Sequence, residues 1–284
     1  MCGWGEEEPL KDATSSFVHQ RGSLLRRFRS CVPLSEAAIH HLMQLPNLRS
    51  LIFAQGPPRT IPPSIFTSLE RLRLHELAAL PWLHLLASHK EFILQNGSAP
   101  ATSHVNIRKT LRYISCPLDT TIDSTFLSSI LKFRNLVALR LGTYFYRVGG
   151  CAFHLTDDNM EKLAASLHRL KSLQLKQPCG SNSRNTTVAS LISISIHCPD
   201  LTDLETHFNT LTIVGDIQRL IDGGYGRNSA KCELRRLVVG YIPLKVHGED
   251  IETIVVGFKV IFPCLTDFTD FNGHWRELGS KLRD

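Results

Sequence analysis

The chain repeats itself, and that constrains its fold more than any other feature. The spacing Leu-x-x-Leu-x-Leu, with conservative replacements, occurs at Leu48/Leu51/Phe53, Leu69/Leu72/Leu74, Leu111/Ile114/Cys116 and Leu136/Leu139/Leu141. It recurs at Leu170/Leu173/Leu175, Leu201/Leu204/Thr206, Leu234/Leu237/Val239 and, degraded, Leu265/Phe268/Asp270. Successive first positions lie 21, 42, 25, 34, 31, 33 and 31 residues apart. An apolar residue or Cys often stands three places ahead, as in Leu45-Pro-Asn-Leu48, Phe133-Arg-Asn-Leu136, Cys198-Pro-Asp-Leu201 and Phe262-Pro-Cys-Leu265. A Pro in that lead-in ends a helix and opens an extended segment. Periods of this length point to a repeat architecture.

The stretches between these strands have helical spacing. Residues 34–45 place Leu34, Ala38, Ile39, Leu42 and Leu45 on one face, with Ser35 as a candidate cap. Residues 155–167 open on Thr156 with Asn159 three later, then Met160, Leu163, Ala164 and Leu167 on one face. Residues 186–197, 212–221 and 250–262 read similarly, and 77–87 reads as an apolar helix containing Pro81 and Trp82. Each unit is therefore strand, loop, helix, loop. Such a unit cannot bury its apolar face alone; stacking the units makes one continuous core, with parallel strands on one side and helices on the other. A single core stops growing near ~250–300 residues, whereas an array of 284 residues grows in one direction. A doubly wound α/β sheet also alternates strand and helix. Its strands would be near-continuous Val/Ile runs and its first loop Gly-rich, and neither feature is present.

Composition narrows the class. With 43% hydrophobic and 20% charged residues the chain is globular. It has no apolar run long enough to span a membrane, and its acidic start, MCGWGEEEPLKD, does not read as a secretory signal. The eight cysteines are dispersed, with no pair closer than 19 residues and no CxxC. They read as reduced thiols of an intracellular protein, cytoplasmic or nuclear. Charge is uneven: residues 13–150 carry 16 Lys/Arg against 6 Asp/Glu, and residues 151–284 carry 15 against 16. A basic front half attracts an acidic partner or nucleic acid; a solvated basic surface is the plainer alternative, since Arg26-Arg27-Phe28-Arg29 is the densest run.

These repeats resemble the leucine-rich-repeat superfamily in its long, irregular, ribonuclease-inhibitor-like form. The segments LTDDNMEKLAASLHRLKSLQL and SISIHCPDLTDLETHFN are similar to the repeat half of F-box/leucine-rich-repeat proteins, especially the divergent fungal kind. The resemblance covers roughly 31–275. It implies an α/β solenoid, parallel strands concave and helices convex, and a non-enzymatic protein-binding scaffold. It implies further the substrate-binding part of an SCF-type ubiquitin-ligase adaptor, with Skp1/cullin machinery as partner if an F-box lies upstream. Residues 1–30 do not offer the F-box pattern and are expected as a flexible or atypical N-terminal segment, with 31–284 as one repeat domain of about eight units. The family's Asn or Cys three places after the last leucine is met only by Asn209, so the curvature is expected to be irregular.

Strand alternation turns the residues between the leucines to the open face. That face reads Ser50 and Ile52, then Arg71, Arg73 and His75, then Tyr113 and Ser115, then Ala138 and Arg140. It continues with Ser172, Gln174 and Lys176, then Asp203, Glu205 and His207, then Arg236 and Val238, then Asp267 and Thr269. A protein partner of complementary charge is the expectation for Arg71, Arg73, His75, Tyr113, Arg140, Gln174, Lys176, Asp203, Glu205 and His207. The loop 142–154 adds Tyr144, Tyr146 and Arg147 as candidate contacts. Ordinary solvated sheet surface remains the alternative at each position. Nucleic acid binding by the basic half is the second functional reading, lowered by sparse aromatic interleaving.

Motifs for catalysis fail. His75-Glu76-Leu77-Ala78-Ala79 lacks the second His of a zinc-protease helix, and Cys151-Ala-Phe-His154 has no second ligand pair. His197 and Cys198 are sequence neighbours and do not face each other on a helix. Gly223-Gly224-Tyr225-Gly226-Arg227 follows a helix rather than a strand, so it reads as a helix stop. No enzyme, cofactor, metal or small-molecule substrate is expected, and Trp275 with Leu278 are expected to cover the last repeat.

Overall fold

A computed structural model describes residues 7–62, 65–74, 76–95, 107–116, 124–142, 155–176, 186–223, 232–239, 248–270 and 275–283. The chain is α/β, with parallel strands alternating with helices. By its internal contacts it divides into two compact bodies. The first is Met1–Leu118 with Ser128–Asn135, and the second Asp119–Leu127 with Leu136–Asp284.

The first body opens with α1 (Glu7–Arg21), β1 (Arg27–Arg29), α2 (Glu36–Gln44), β2 (Ser50–Phe53) and β3 (Arg71–Leu74). It continues with α3 (Glu76–Gln95), α4 (Ile107–Thr110) and β4 (Tyr113–Cys116). Its strands pair in parallel in the order β1-β2-β3-β4. Helix α5 (Ser124–Ile130) carries the boundary. The second body holds β5 (Ala138–Gly142), α6 (Asp157–Ser166), β6 (Ser172–Lys176), α7 (Val188–His197) and β7 (Asp203–Thr206). It ends with α8 (Ile213–Asp222), β8 (Arg236–Val239), α9 (Gly248–Ile261), β9 (Asp267–Asp270) and α10 (Arg276–Arg283). These strands too pair in parallel in chain order. Neither body reverses its strand order, as a doubly wound sheet does.

The repeating leucines form the core. Leu48, Leu51, Leu69, Leu72, Leu139, Leu173, Leu204 and Leu237 are all buried, and each fully buried side chain of this size stabilises by about 1.5–3 kcal/mol. The repeat also has a backbone signature. At the start of β2, β3, β4 and β6 to β9, two successive amides donate to one carbonyl of the preceding repeat. Arg49 and Ser50 donate to Arg26, Glu70 and Arg71 to Arg49, Thr202 and Asp203 to Lys171, and Thr266 and Asp267 to Arg235. The shortest spacing, from Leu48 to Leu69, is the one with no described helix between its strands.

Residues 7–29 do not stand apart from the repeats. Helix α1 packs on α2, and β1 pairs with β2, Phe28 opposite Leu51. Leu25, Phe28 and Ser30 occupy the repeat positions, so there are nine strands among the described residues. The repeat spacing is masked here because arginines surround Phe28 and Ser30 replaces the third leucine.

Helix starts follow their caps. Ser35 accepts from Ala38 N at 3.2 Å, and Thr156 and Asn159 form a reciprocal capping box. Asp157, on the first turn of α6, accepts from Thr187 N at 2.7 Å and from Thr187 Oγ1 at 2.8 Å, tying the start of one helix to the cap of the next. Helix α3 runs past the expected 77–87. It tolerates Pro81 internally because Trp82 anchors it: its ring packs 5.7 Å from that of Phe53, and its Nε1 donates to Gln55 O at 2.8 Å. Trp275 covers the end of the second body, its ring 5.3 Å from that of Phe268, with Leu278 buried beside it.

Cys198 and Cys232 both turn their thiols to backbone carbonyls of the preceding repeat. Cys198 Sγ donates to Ala164 O at 3.6 Å, and Cys232 Sγ to Cys198 O at 3.4 Å. Each thiol thus meets a carbonyl at the helix end of the repeat before it.

Candidate functional site

In the first body, pairing aligns the outward residues into two rows. One row is Arg27, Ser50, Arg71 and Tyr113; the other is Arg29, Ile52, Arg73 and Ser115. Arg27, Arg29, Arg71 and Arg73 are exposed, while Ser50, Ile52, Tyr113 and Ser115 are half-buried. Residues two apart on a strand lie ~6.6 Å apart, and alternate strands ~9.6 Å apart. The four arginines therefore stand at the corners of a rectangle of about those dimensions. At the leading edge, Arg49 pairs with Glu70 at 3.4 Å. Arg27 and Arg29 were not among the expected site residues; the alternation Arg-Phe-Arg was their only sequence signal.

The second body carries a different face. Asp203, Arg236 and Asp267 share a register row. Arg236 Nε sits 3.3 Å from Asp267 Oδ2, both side chains about half exposed, a geometry worth about 0–1 kcal/mol. Acid and base alternate along this row, so the face is balanced internally. Arg140 is exposed on β5, and Gln174 is half-buried on β6.

Three expected contact residues are corrected. Lys176, Glu205 and His207 are buried. Alternation sets the side of the sheet to which a residue points, not whether that side reaches solvent. The open face of this body is accessible at the strand starts and closed at the ends of β6, β7 and β8, where Val238 is buried as well. Lys176 Nζ meets Glu205 Oε2 at 3.5 Å. Burial holds the Lys176 ammonium below its usual pKa range, opposed by the attraction of Glu205 and reinforced by Arg140 and Arg236. Burial also pushes the His207 imidazole down to about 4. Its backbone carbonyl accepts from Thr186 Oγ1 at 2.8 Å.

His75, Tyr144, Tyr146 and Arg147 lie outside the described residues, as do Cys151, His154 and most of 223–227. Among the described residues, no group of three or more His, Cys, Asp or Glu side chains is placed to hold a metal ion. No described helix is long and apolar enough to cross a membrane. His197 and Cys198 sit at the end of α7, where the Cys198 thiol is turned to backbone carbonyls and raised by burial to about 12.

In comparison with known proteins, no family model matches the chain and no curated protein is significantly similar to it.

Proposed function

We propose that this chain is a non-enzymatic protein–protein recognition scaffold. In this reading it is an irregular leucine-rich-repeat solenoid of the ribonuclease-inhibitor-like kind, serving as the substrate-binding part of an SCF-type ubiquitin-ligase adaptor. The observation that carries the scaffold is the register alignment of outward side chains. Equivalent positions of successive repeats fall into rows across each sheet face, with the leucines between them buried. A rigid sheet with a row of exchangeable side chains presents a surface without needing a catalytic pocket. The ubiquitin role rests on the resemblance of 155–175 and 193–209 to F-box/leucine-rich-repeat sequences.

Affinity capture of the tagged chain from its native cell, followed by mass spectrometry, tests both halves. A reproducible protein set that includes a Skp1-type adaptor and a cullin supports the whole reading. A reproducible set without them keeps the scaffold and removes the ligase role. Recovery that is lost on ribonuclease or deoxyribonuclease treatment favours the second reading, a nucleic-acid-associated protein, which draws on the arginines of the first body.

A further inference from the structure

Two sheet faces built on one plan differ in how their charge is compensated. In the second body, Arg236 stands between Asp203 and Asp267 and pairs with the latter at 3.3 Å. In the first body, Arg27, Arg29, Arg71 and Arg73 form no ion pair with any described residue, and no carboxylate shares their rows. The acid beside them, Glu70, is engaged by Arg49 at 3.4 Å. Four like charges at ~6.6–9.6 Å repel one another, so this arrangement adds nothing to the stability of the fold. The described residues supply no complement to it.

We propose that this face docks an acidic protein segment in extended conformation, with Arg27, Arg29, Arg71 and Arg73 as its contacts. The proposal rests on the recognition-scaffold reading and names the chemistry of the partner. Alternate side chains of an extended segment repeat every ~6.6 Å, the spacing of Arg27 to Arg29 and of Arg71 to Arg73. Carboxylates at every second position therefore meet two guanidinium groups on one strand in a shared period. Each guanidinium offers a planar fork that binds a carboxylate in bidentate fashion. Ile52, half-buried between the two arginine columns, gives the segment an apolar floor. A nucleic acid fits less well. Single strands need aromatic platforms, and Tyr113 is the lone aromatic in these rows. Duplexes are held by about 6–10 phosphate contacts, more than a rectangle of this size supplies.

The test is fluorescence anisotropy with the full chain and three labelled probes: a (Glu-Ser)5 peptide, its (Gln-Ser)5 counterpart, and a 20-nucleotide oligo(U). The variants are Arg27→Gln/Arg29→Gln, Arg71→Gln/Arg73→Gln, all four Arg→Lys, and a control, Lys162→Gln/Lys259→Gln, on exposed helix positions. The expected result is binding of the acidic peptide alone, weakened at least tenfold by either glutamine pair. The lysine variant, which retains charge without the fork, falls between, and the control stays within twofold. Thermal melting of each variant confirms that it is folded. Equal affinity for wild type and both glutamine pairs, no binding by wild type, or tighter oligo(U) binding lost with the same arginines overturns the proposal. Repeating the affinity capture with all four arginines as glutamine separates the two ideas. An unchanged partner set leaves the scaffold standing and removes the arginine face. No partner set even from wild type removes the scaffold itself.

Discussion

Lys176 Nζ lies 3.5 Å from Glu205 Oε2 across neighbouring strands, with 8% and 10% of the two side chains exposed. Among the described residues Glu205 Oε1 accepts no hydrogen bond. Two charges withdrawn from water this far depend on each other, because the loss of one strands the other. Lys176→Met is expected to destabilise the chain by about 3–5 kcal/mol, and Lys176→Met/Glu205→Leu by clearly less. Urea unfolding of the two singles and the double reads this directly. Additive losses would show that the pair is not coupled.

His207 gives the fold an acid sensitivity in a defined window. Its pKa is about 4 in the folded chain, against an ordinary value of 6.5. Between these values the unfolded chain binds the proton and the folded chain does not. Stability therefore falls as pH drops through this range and is retained above it. The full loss is about 3 kcal/mol. His207→Gln should flatten the dependence of the melting temperature between pH 7 and 5, above the range where most carboxylates titrate. An unchanged profile would sink the assignment.

Asp157 joins two repeats through its contacts with Thr187 N and Oγ1. Hydrogen bonds to a charged group contribute about 1.5–3 kcal/mol. Asp157→Ala is expected to cost that much, whereas Asp158→Ala, on the exposed side of the same turn, should cost only about 0.3–1 kcal/mol through the helix dipole. Equal losses from both would mean that the link between repeats carries no weight.

The thiols divide by location. Burial raises Cys116, lifts Cys198 to about 12 and lifts Cys232 to about 11, while Cys31 and Cys264 are exposed. Only a thiolate is alkylated readily. Iodoacetamide at pH 8 should label Cys31 and Cys264 in the native chain and reach the other three only after denaturation. Peptide mapping that finds Cys198 labelled early would contradict this burial.

Much of the architecture was legible because burial has a period. The repeated leucines predicted strands β2 to β9, and Ser35, Thr156 and the Trp275 cover fell where local chemistry placed them. Strand β1 escaped because Arg27 and Arg29 dominate its composition. Helices α1, α4, α5 and α10 escaped because their apolar spacing is weak or short. Alternation separates the buried leucines from the residues between them, yet Lys176, Glu205 and His207 were expected in solvent and are buried.

That difference marks what each level decides. Period-two alternation and caps act between residues close along the chain, so the repeat alone shows which leucines turn inward and where the capped helices α2 and α6 begin. Tertiary packing put Arg27 and Arg29 in rows with Arg71 and Arg73. It alone decided that the ends of β6 to β8 are closed to water. Strand register and solvent access depend on atoms brought together from repeats tens of residues apart, and no local spacing records them.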